Sequence, residues 1–559
     1  MIGLARLERP AMRRAALLVV ALWTVHALVY ALRLPLVMDE LQGAFAAWEL
    51  GTGVPYRDFV PYKTVLGYAL QEPVLALWPG SWWAKLHAVR VEMALLAALG
   101  MVLAAHRLSA LLRPGAVLLA LVLWAAMSTW TERAFALRVD MLTALCGLAG
   151  LLALLEGRVV WAGFWSGLSL CVSQKGAYFV LAGGVGSVAS AALARQGTDA
   201  LRAAARAGLT FALAAAAPLL AYLAIFALLA GPGPVLDAVF LRNRAIALQN
   251  LYDLGIKYFW FQTFKRNPLF WGAALAGLAL TVNVRRSAAA SPPDLALGSY
   301  GAVLLLLALW HKQPWPYFFV MVVPTLFVLV ARLFDHELGR DGRLGRLVLV
   351  VVLALGLALP LTRVVKGLRR DAGSQRAVVL GLERLLGPRD GYLAGMQALP
   401  SRRHVLDAQL GWLDARRMET VRRGDTQAIA AALRRDLPLL VVESYRTRGL
   451  PAPIRAVLDA ETAPLCGALR HRVYRLGGTA AVQVPAGRYR LEGPGPVKLG
   501  DVAEPWQPGS VRSLPQGAVR GAGAAVAGSR LVRVADGDPL LADLDCRPED
   551  DLFGGVYDW

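Results

Sequence analysis

The sequence predicts an α-helical polytopic membrane protein with about eleven transmembrane helices, followed by a C-terminal extracytoplasmic soluble region, α/β and then β-sandwich-like. Three observations predict this class. The 559 residues are 57% hydrophobic and only 18% charged, with a mean hydropathy of +0.49, values outside the range of soluble domains. Apolar runs long enough to cross about 30 Å of hydrocarbon recur up to about residue 365. Beyond that point the chain is polar and rich in Gly, Pro and Arg. The expected organisation is a membrane module over 1–365, an α/β region over 366–477 and a small β-rich domain over 478–559.

The first apolar run, 12–32, follows Arg6, Arg9, Arg13 and Arg14 as a signal peptide would. It is long, lacks a small-x-small cleavage site and precedes many further spans, so it is expected to stay as an anchor. The remaining expected spans are 84–105, 115–131, 138–155, 159–173, 177–194, 207–230, 268–284, 296–310, 316–333 and 346–364. An odd number of crossings puts the termini on opposite sides. The N-terminal arginines place the start in the cytoplasm, so the tail is expected outside a bacterial-type inner membrane. Lys and Arg are denser in the short loops this assigns to the cytoplasm, which accounts for much of the net charge of +20 without a nucleic-acid partner. Residues 64–79, TVLGYALQEPVLALWP, are apolar but carry Gln71, Glu72 and Pro73 at their centre; an interfacial or re-entrant helix is expected there.

The two long external loops, 33–83 and 231–267, are the first places to look for function. The first contains LPLVMDELQGAFAAWELGTGVPYRDFVPYKT, residues 34–64, with adjacent acids Asp39 and Glu40 close to the membrane edge. One reading is structural: Asp39 is an N-cap, Gln42 completes a capping box, and Gly51 closes a helix over 40–50 whose Leu41, Ala44, Phe45 and Trp48 form an apolar stripe. The other is catalytic: a partly desolvated carboxylate takes the proton of an attacking hydroxyl. Adjacent helical residues diverge by about 100°, so only one acid faces a cavity. Asp39 is the candidate base, and Glu40 is left to pair with a basic residue or to bind an ion, a divalent cation among the candidates. Arg57, Asp58, Tyr62 and Lys63 follow as either an ordinary interfacial loop or a cationic and aromatic wall for a phosphate and a sugar ring.

The topology brings further ionisable residues to the same external level. Arg138 and Asp140 lie in TERAFALRVDMLTAL, Lys175 in VSQKGAYF, and His311, Lys312 and Tyr317 in HKQPWPYFF. Each has a structural reading as a helix pair, a snorkelling lysine or an aromatic belt. Together, on one side of a membrane, they mark a cavity. Cations there suit a phosphate leaving group carried on a lipid, with a carboxylate opposite to take the acceptor proton. That chemistry is glycosyl transfer from a polyprenyl-phosphate sugar with inversion.

These residues also carry a resemblance. MDELQGAFAAWELGTGVPYRDFVPYK, with LRVDML, SQKGAYF and HKQPWPYFFVMVVP in order, resembles the GT-C superfamily of integral-membrane glycosyltransferases, particularly its protein O-mannosyltransferase and lipid A aminoarabinose transferase branch. The resemblance covers about residues 12–333. It implies a lipid-linked sugar donor, catalysis on the face opposite the cytoplasm, and Asp39 as the matching catalytic acid. Membrane lipid and an envelope glycan, glycolipid or protein acceptor are the expected partners. A lipid flippase or a non-catalytic scaffold is the alternative from another class.

In the tail, QAIAAALRRDLPLLVVESY reads as a helix running into a buried strand, and AAVQVPAGRYRLEGPGPVKLGD as short strands and turns. No metal-ligand spacing, phosphate loop or nucleophile motif occurs there, so a supporting or acceptor-binding role is expected. Cys146 and Cys171 read as small hydrophobes within spans. Cys466 and Cys546 lie in the tail, and their pairing is left open.

Overall fold

The computed structural model describes residues 9–553 apart from 62–63, 194, 196, 242–255, 284–290, 312–314, 340–350, most of 352–363, 478–480, 500–503, 523–525 and 548–552. α1 (Arg9–Arg33) leads through an extended stretch into α2 (Met38–Leu50), and α3 (Leu66–Ala69) and α4 (Glu72–Leu77) precede α5 (Trp82–Leu108). α6 (Pro114–Ala126), α7 (Ser128–Arg133), α8 (Asp140–Leu155), α9 (Val159–Val172), α10 (Ala177–Leu193) and α11 (Gly197–Ala230) follow. The described part of the membrane module ends with α12 (Pro232–Leu236), α13 (Ile256–Arg266), α14 (Pro268–Asn283), α15 (Pro292–Trp310) and α16 (Phe319–Gly339).

Among the described residues, six helices are long and apolar enough to cross a membrane: α1, α5, α11, α15, and α10 and α16 with the turns that lead into them. The chain is thus a multi-pass membrane protein. α6, α8, α9 and α14 are apolar but shorter than the spans expected over them. The span expected at 115–131 breaks at Met127, because Asn267 Oδ1 accepts the Ser128 N–H at 2.8 Å and so satisfies a donor that a continuous helix would have used internally. The span expected at 346–364 lies mostly outside the described residues. Residues 64–79 form the two short helices α3 and α4, neither long enough to cross.

Helix α2 corrects the capping expectation. It begins at Met38, with Val37 as N-cap, and the side chain that reaches back is that of Glu40, accepting from Val37 N at 3.0 Å. Asp39 is inside the first turn, and its carboxylate is released from capping. Gly51 does not take the left-handed conformation of a C′ glycine, since its φ is −77°.

Helix packing depends on small residues. α9 lies along α11, and a Cβ on Gly163 or Gly167 would come within 2.5 Å of Phe211 O or 2.1 Å of Ala215 O, so the backbones meet only because those side chains are missing. α16 is the most enclosed of the six long helices, with an unbroken buried run over 318–331, and packs on α6 and α14.

The soluble region starts with α17 (Gly373–Leu385), whose Glu383 carboxylate accepts from Trp82 N at 3.1 Å at the start of α5. A five-stranded sheet follows, in the order β2 (Arg403–His404), β1 (Gly391–Leu393), β3 (Leu440–Val442), β5 (Leu469–Arg472), β4 (Thr462–Cys466). β1 runs parallel to β2 and β3, whereas β5 is antiparallel to β3 and β4. A second, antiparallel sheet has the order β10 (Val511–Leu514), β8 (Gly487–Glu492), β13 (Arg530–Arg533), β6 (Tyr474–Arg475). Two-stranded ladders, β7 (Val482–Val484) with β11 (Gly517–Val519) and β9 (Lys498–Leu499) with β12 (Gly521–Ala522), flank it in sequence. Cys466, at the end of β4, is disulfide-bonded to Cys546. One apolar cluster runs from the helices of the membrane module into α17 and both sheets.

Gly43 fixes how closely α2 approaches the loop between α7 and α8. A Cβ built on it would lie 2.2 Å from Leu137 O. Gly43→Ala improves helix propensity by about 1 kcal/mol, yet it should still lower net stability by about 1–3 kcal/mol because α2 must move off the loop. Unfolding of the detergent-solubilised protein measures this, and a variant as stable as the parent would contradict the close approach.

Candidate active site

Four separated segments meet at one end of the helix bundle. α2 supplies Asp39 and Glu40, the turn before α8 and that helix's first residue supply Arg138 and Asp140, the 3₁₀ turn Gln174–Gly176 supplies Lys175, and the turn Pro316–Phe318 supplies Tyr317. Arg138 Nη1 donates to Asp39 Oδ2 at 2.6 Å, and Arg138 Nε donates to Asp140 Oδ2 at 2.9 Å. Lys175 Nζ donates to Asp140 Oδ1 at 2.7 Å. The Arg138 guanidinium lies 3.4 Å from the centroid of the Tyr317 ring, and Lys175 Nζ lies 5.3 Å from it, so both cations adjoin one aromatic ring. The result is a chain of alternating charge, Asp39, Arg138, Asp140, Lys175, with a tyrosine beneath its cations.

Local sequence explains why each group arrives there. Asp140 opens α8, where an acid is favoured by the helix dipole. The Lys175 turn folds back on the end of α9, and a Cβ on Gly176 would lie 2.3 Å from Leu170 N, so the turn requires glycine. Pro316 starts the turn that presents Tyr317 and Phe318.

The four charged groups are not equally accessible. Asp140 keeps 2% of its side-chain surface and has both oxygens engaged, whereas Asp39 keeps 27%, so of the two carboxylates Asp39 is the accessible one. Glu40 turns the opposite way. It is buried against Arg90, whose Nε donates to Glu40 Oε1 at 2.9 Å, and it also accepts from Leu137 N at 3.1 Å. Burial opposes ionisation of Glu40, but the Arg90 charge and hydrogen bonds, together with the N–H groups of Val37 and Leu137, hold its carboxyl below the usual carboxylate range.

His311 stacks on Phe318 with ring centroids 4.2 Å apart, and its Nδ1 lies 2.8 Å from Tyr178 Oη. Lys175 Nζ is 5.6 Å from the Phe318 centroid, so this aromatic group adjoins the charged chain. Arg57 and Asp58 are not in it: they pair with each other at 2.9 Å on the exposed part of the loop. Tyr62, Lys63 and Lys312 lie outside the described residues. Sequence reasoning missed Arg90, Tyr178 and Phe318. Arg90 had a usable signal, a charge beside Glu92 in the otherwise largely apolar run LHAVRVEM, where an ionisable residue calls for a partner. Among the described residues no three His, Cys, Asp or Glu side chains converge as a metal site. Beside Asp39 and Asp140 the positions a cation would take are held by Arg138 and Lys175, so this donor set fits a divalent ion poorly.

No family model and no curated protein matches the chain. Among solved structures it is similar to ArnT from Cupriavidus metallidurans bound to undecaprenyl phosphate, with a TM-score of 0.55 and 15% identity over 81% of this chain and 96% of that one. The same protein in the apo state matches with a TM-score of 0.51 and 15% identity over the same shares. This chain has a GT-C fold. The oligosaccharyltransferase of Archaeoglobus fulgidus, in complex with zinc and sulfate, has a TM-score of 0.47 at 12% identity, covering 82% of this chain and 72% of that one. In this GT-C fold the acidic helix α2 follows the first long helix directly, and the charged chain sits where it meets the α7–α8 loop.

Asp140 is the buried hinge of the site. Asp140→Asn removes a buried carboxylate shared by buried Arg138 and partly buried Lys175 and should destabilise the protein by about 3 kcal/mol. Asp58→Asn, which breaks an exposed pair, should change stability by under about 1 kcal/mol. Melting curves of the two variants side by side check the contrast; equal effects would contradict it.

Proposed function

We propose that the chain transfers a sugar from a polyprenyl-phosphate donor to an acceptor hydroxyl, at the membrane edge that carries Asp39. The observation that carries this reading is the single accessible carboxylate of Asp39 held in line with two buried or half-buried cations, Arg138 and Lys175, on a fold shared with a protein that binds undecaprenyl phosphate. Asp39 takes the acceptor proton as the acceptor oxygen forms its bond to the anomeric carbon. The bond from that carbon to the phosphate oxygen breaks, and polyprenyl phosphate leaves with the electron pair. Lys175 and Arg138 stabilise the charge that gathers on the departing phosphate. One base and one stabilised leaving group suffice for inversion. Glu40 is given a supporting role, holding the loop through Arg90.

The reacting face is assigned to the extracytoplasmic side of a bacterial-type inner membrane. The basic N-terminus favours a cytoplasmic start, and a disulfide at Cys466 and Cys546 suits an oxidising compartment. The acceptor is assigned to the cell envelope, as a glycan, glycolipid or protein.

The test uses purified protein in proteoliposomes with a polyprenyl-phosphate donor labelled in the sugar, and envelope extract as acceptor. Label should move to the acceptor and free polyprenyl phosphate should accumulate, while Lys175→Met slows transfer by about 10²-fold or more. Movement of intact donor between leaflets, with the sugar still attached, would instead establish a lipid transporter.

A further inference from the structure

Among the described residues no strand pairs with the extended stretch joining α1 to α2, yet its main-chain polar groups are met one by one. Leu34 N donates to Tyr30 O at 2.9 Å, while Arg90 donates to Leu34 O at 2.6 Å and Pro35 O at 3.0 Å. Val37 N donates to Glu40 at 3.0 Å, and Val37 O accepts from Glu40 N at 2.9 Å. All of these partners belong to the membrane module. The groups that remain are met from the soluble region. Gln375 Oε1 accepts from Leu36 N at 2.7 Å and Gln375 Nε2 donates to Leu36 O at 3.0 Å. Phe553 O accepts from Met38 N at 3.2 Å.

Gln375 is on the first turn of α17, 2% exposed, and separated from Leu36 by 339 residues in sequence. A buried carboxamide is costly unless its donor and acceptor are both used, and here one residue's N–H and C=O use both. That pairing fixes Leu36 in position and in rotation about the chain. Leu36 lies three residues before Asp39, and α2 begins between them at Met38. Arg138 is held by Asp140 and Tyr317, and its neighbour Leu137 donates to Glu40 of α2 at 3.1 Å. The pose of Asp39 over Arg138 is therefore set from two sides, at Glu40 by Leu137 and at Leu36 by Gln375.

We propose that Gln375 is a positioning residue for Asp39: its carboxamide clamps both main-chain groups of Leu36 and so sets where α2 presents the carboxylate to Arg138. The catalytic part of this inference rests on the transfer reading above; the positional part does not. Under it the soluble region completes the site's geometry without touching the reacting atoms.

Two readouts on the full-length protein separate the parts. In the transfer assay, Gln375→Ala should lower kcat by about tenfold to a hundredfold with the KM for the lipid-linked donor unchanged, because misplacing a base costs rate rather than binding. Independently of activity, Asp39→Cys is labelled with a membrane-impermeant maleimide in the parent, Gln375→Ala and Gln375→Glu backgrounds. Labelling should be several-fold faster with Gln375→Ala. It should be intermediate with Gln375→Glu, which keeps an acceptor for Leu36 N and loses the donor to Leu36 O. A Thr52→Cys control, in the exposed turn just past the end of α2, should label alike in all three. Equal labelling of the Asp39→Cys thiol in every background overturns the proposal. So does a change shared by the control, which would show general loosening in place of a clamp. Faster labelling alongside a parent that transfers no sugar would uphold the positioning and remove the function assigned to it.

Discussion

The buried pairing of Glu40 with Arg90 is the constraint on which the rest of the site depends. Arg90 comes from α5, is 2% exposed, and spends its remaining donors on the carbonyls of Ala31, Leu34 and Pro35. Glu40 spends its remaining capacity on the N–H groups of Val37 and Leu137. An ion pair taken out of water repays its desolvation only when its other donors and acceptors are used, and both members here meet that condition. The pair therefore acts as a joint between α5, the α1–α2 corner and the α7–α8 loop. Leu137 is one of its contacts and Arg138 is the next residue, so the joint that fixes Glu40 also delivers Arg138 to Asp39.

Two adjacent acids thus meet opposite environments within one helical turn. Glu40 faces the protein and is consumed by structure, while Asp39 keeps access to solvent beside a cation. Alternation of sign along Asp39, Arg138, Asp140 and Lys175 lets these charges share a confined space. Under the proposed transfer, it also leaves the cations free to face the departing phosphate. The aromatic group of Tyr317, Phe318, His311 and Tyr178 closes one side, giving the cations a polarisable surface in place of water.

The fold class was legible because the length of an apolar run is a direct physical requirement of crossing hydrocarbon. Helix ends were less legible. The break at Met127 depends on Asn267, which is remote in sequence, and no local pattern announces it. At α2 the letters fit a capping box of Asp39 with Gln42, but the N-cap is Val37, whose side chain has no acceptor; only Glu40 reaches back, to Val37 N, which places it against Arg90. Of the site, the acid and the distant cations were legible as ionisable residues bordering apolar runs, though not their pairings. Arg57 and Asp58 read as a wall beside the acids, but neighbouring opposite charges on an exposed loop satisfy each other first. The clamp at Leu36 was illegible, because nothing in a lone glutamine names a partner in another region of the chain.

The central claim is that the two acids divide catalysis from structure. The most direct measurement compares Asp39→Asn and Glu40→Gln in sugar transfer per folded molecule, with melting curves for both. The account predicts that Asp39→Asn melts close to the parent and loses about 10²–10⁴-fold in transfer, while Glu40→Gln loses chiefly folded protein. Transfer at the parental rate by folded Asp39→Asn would contradict it.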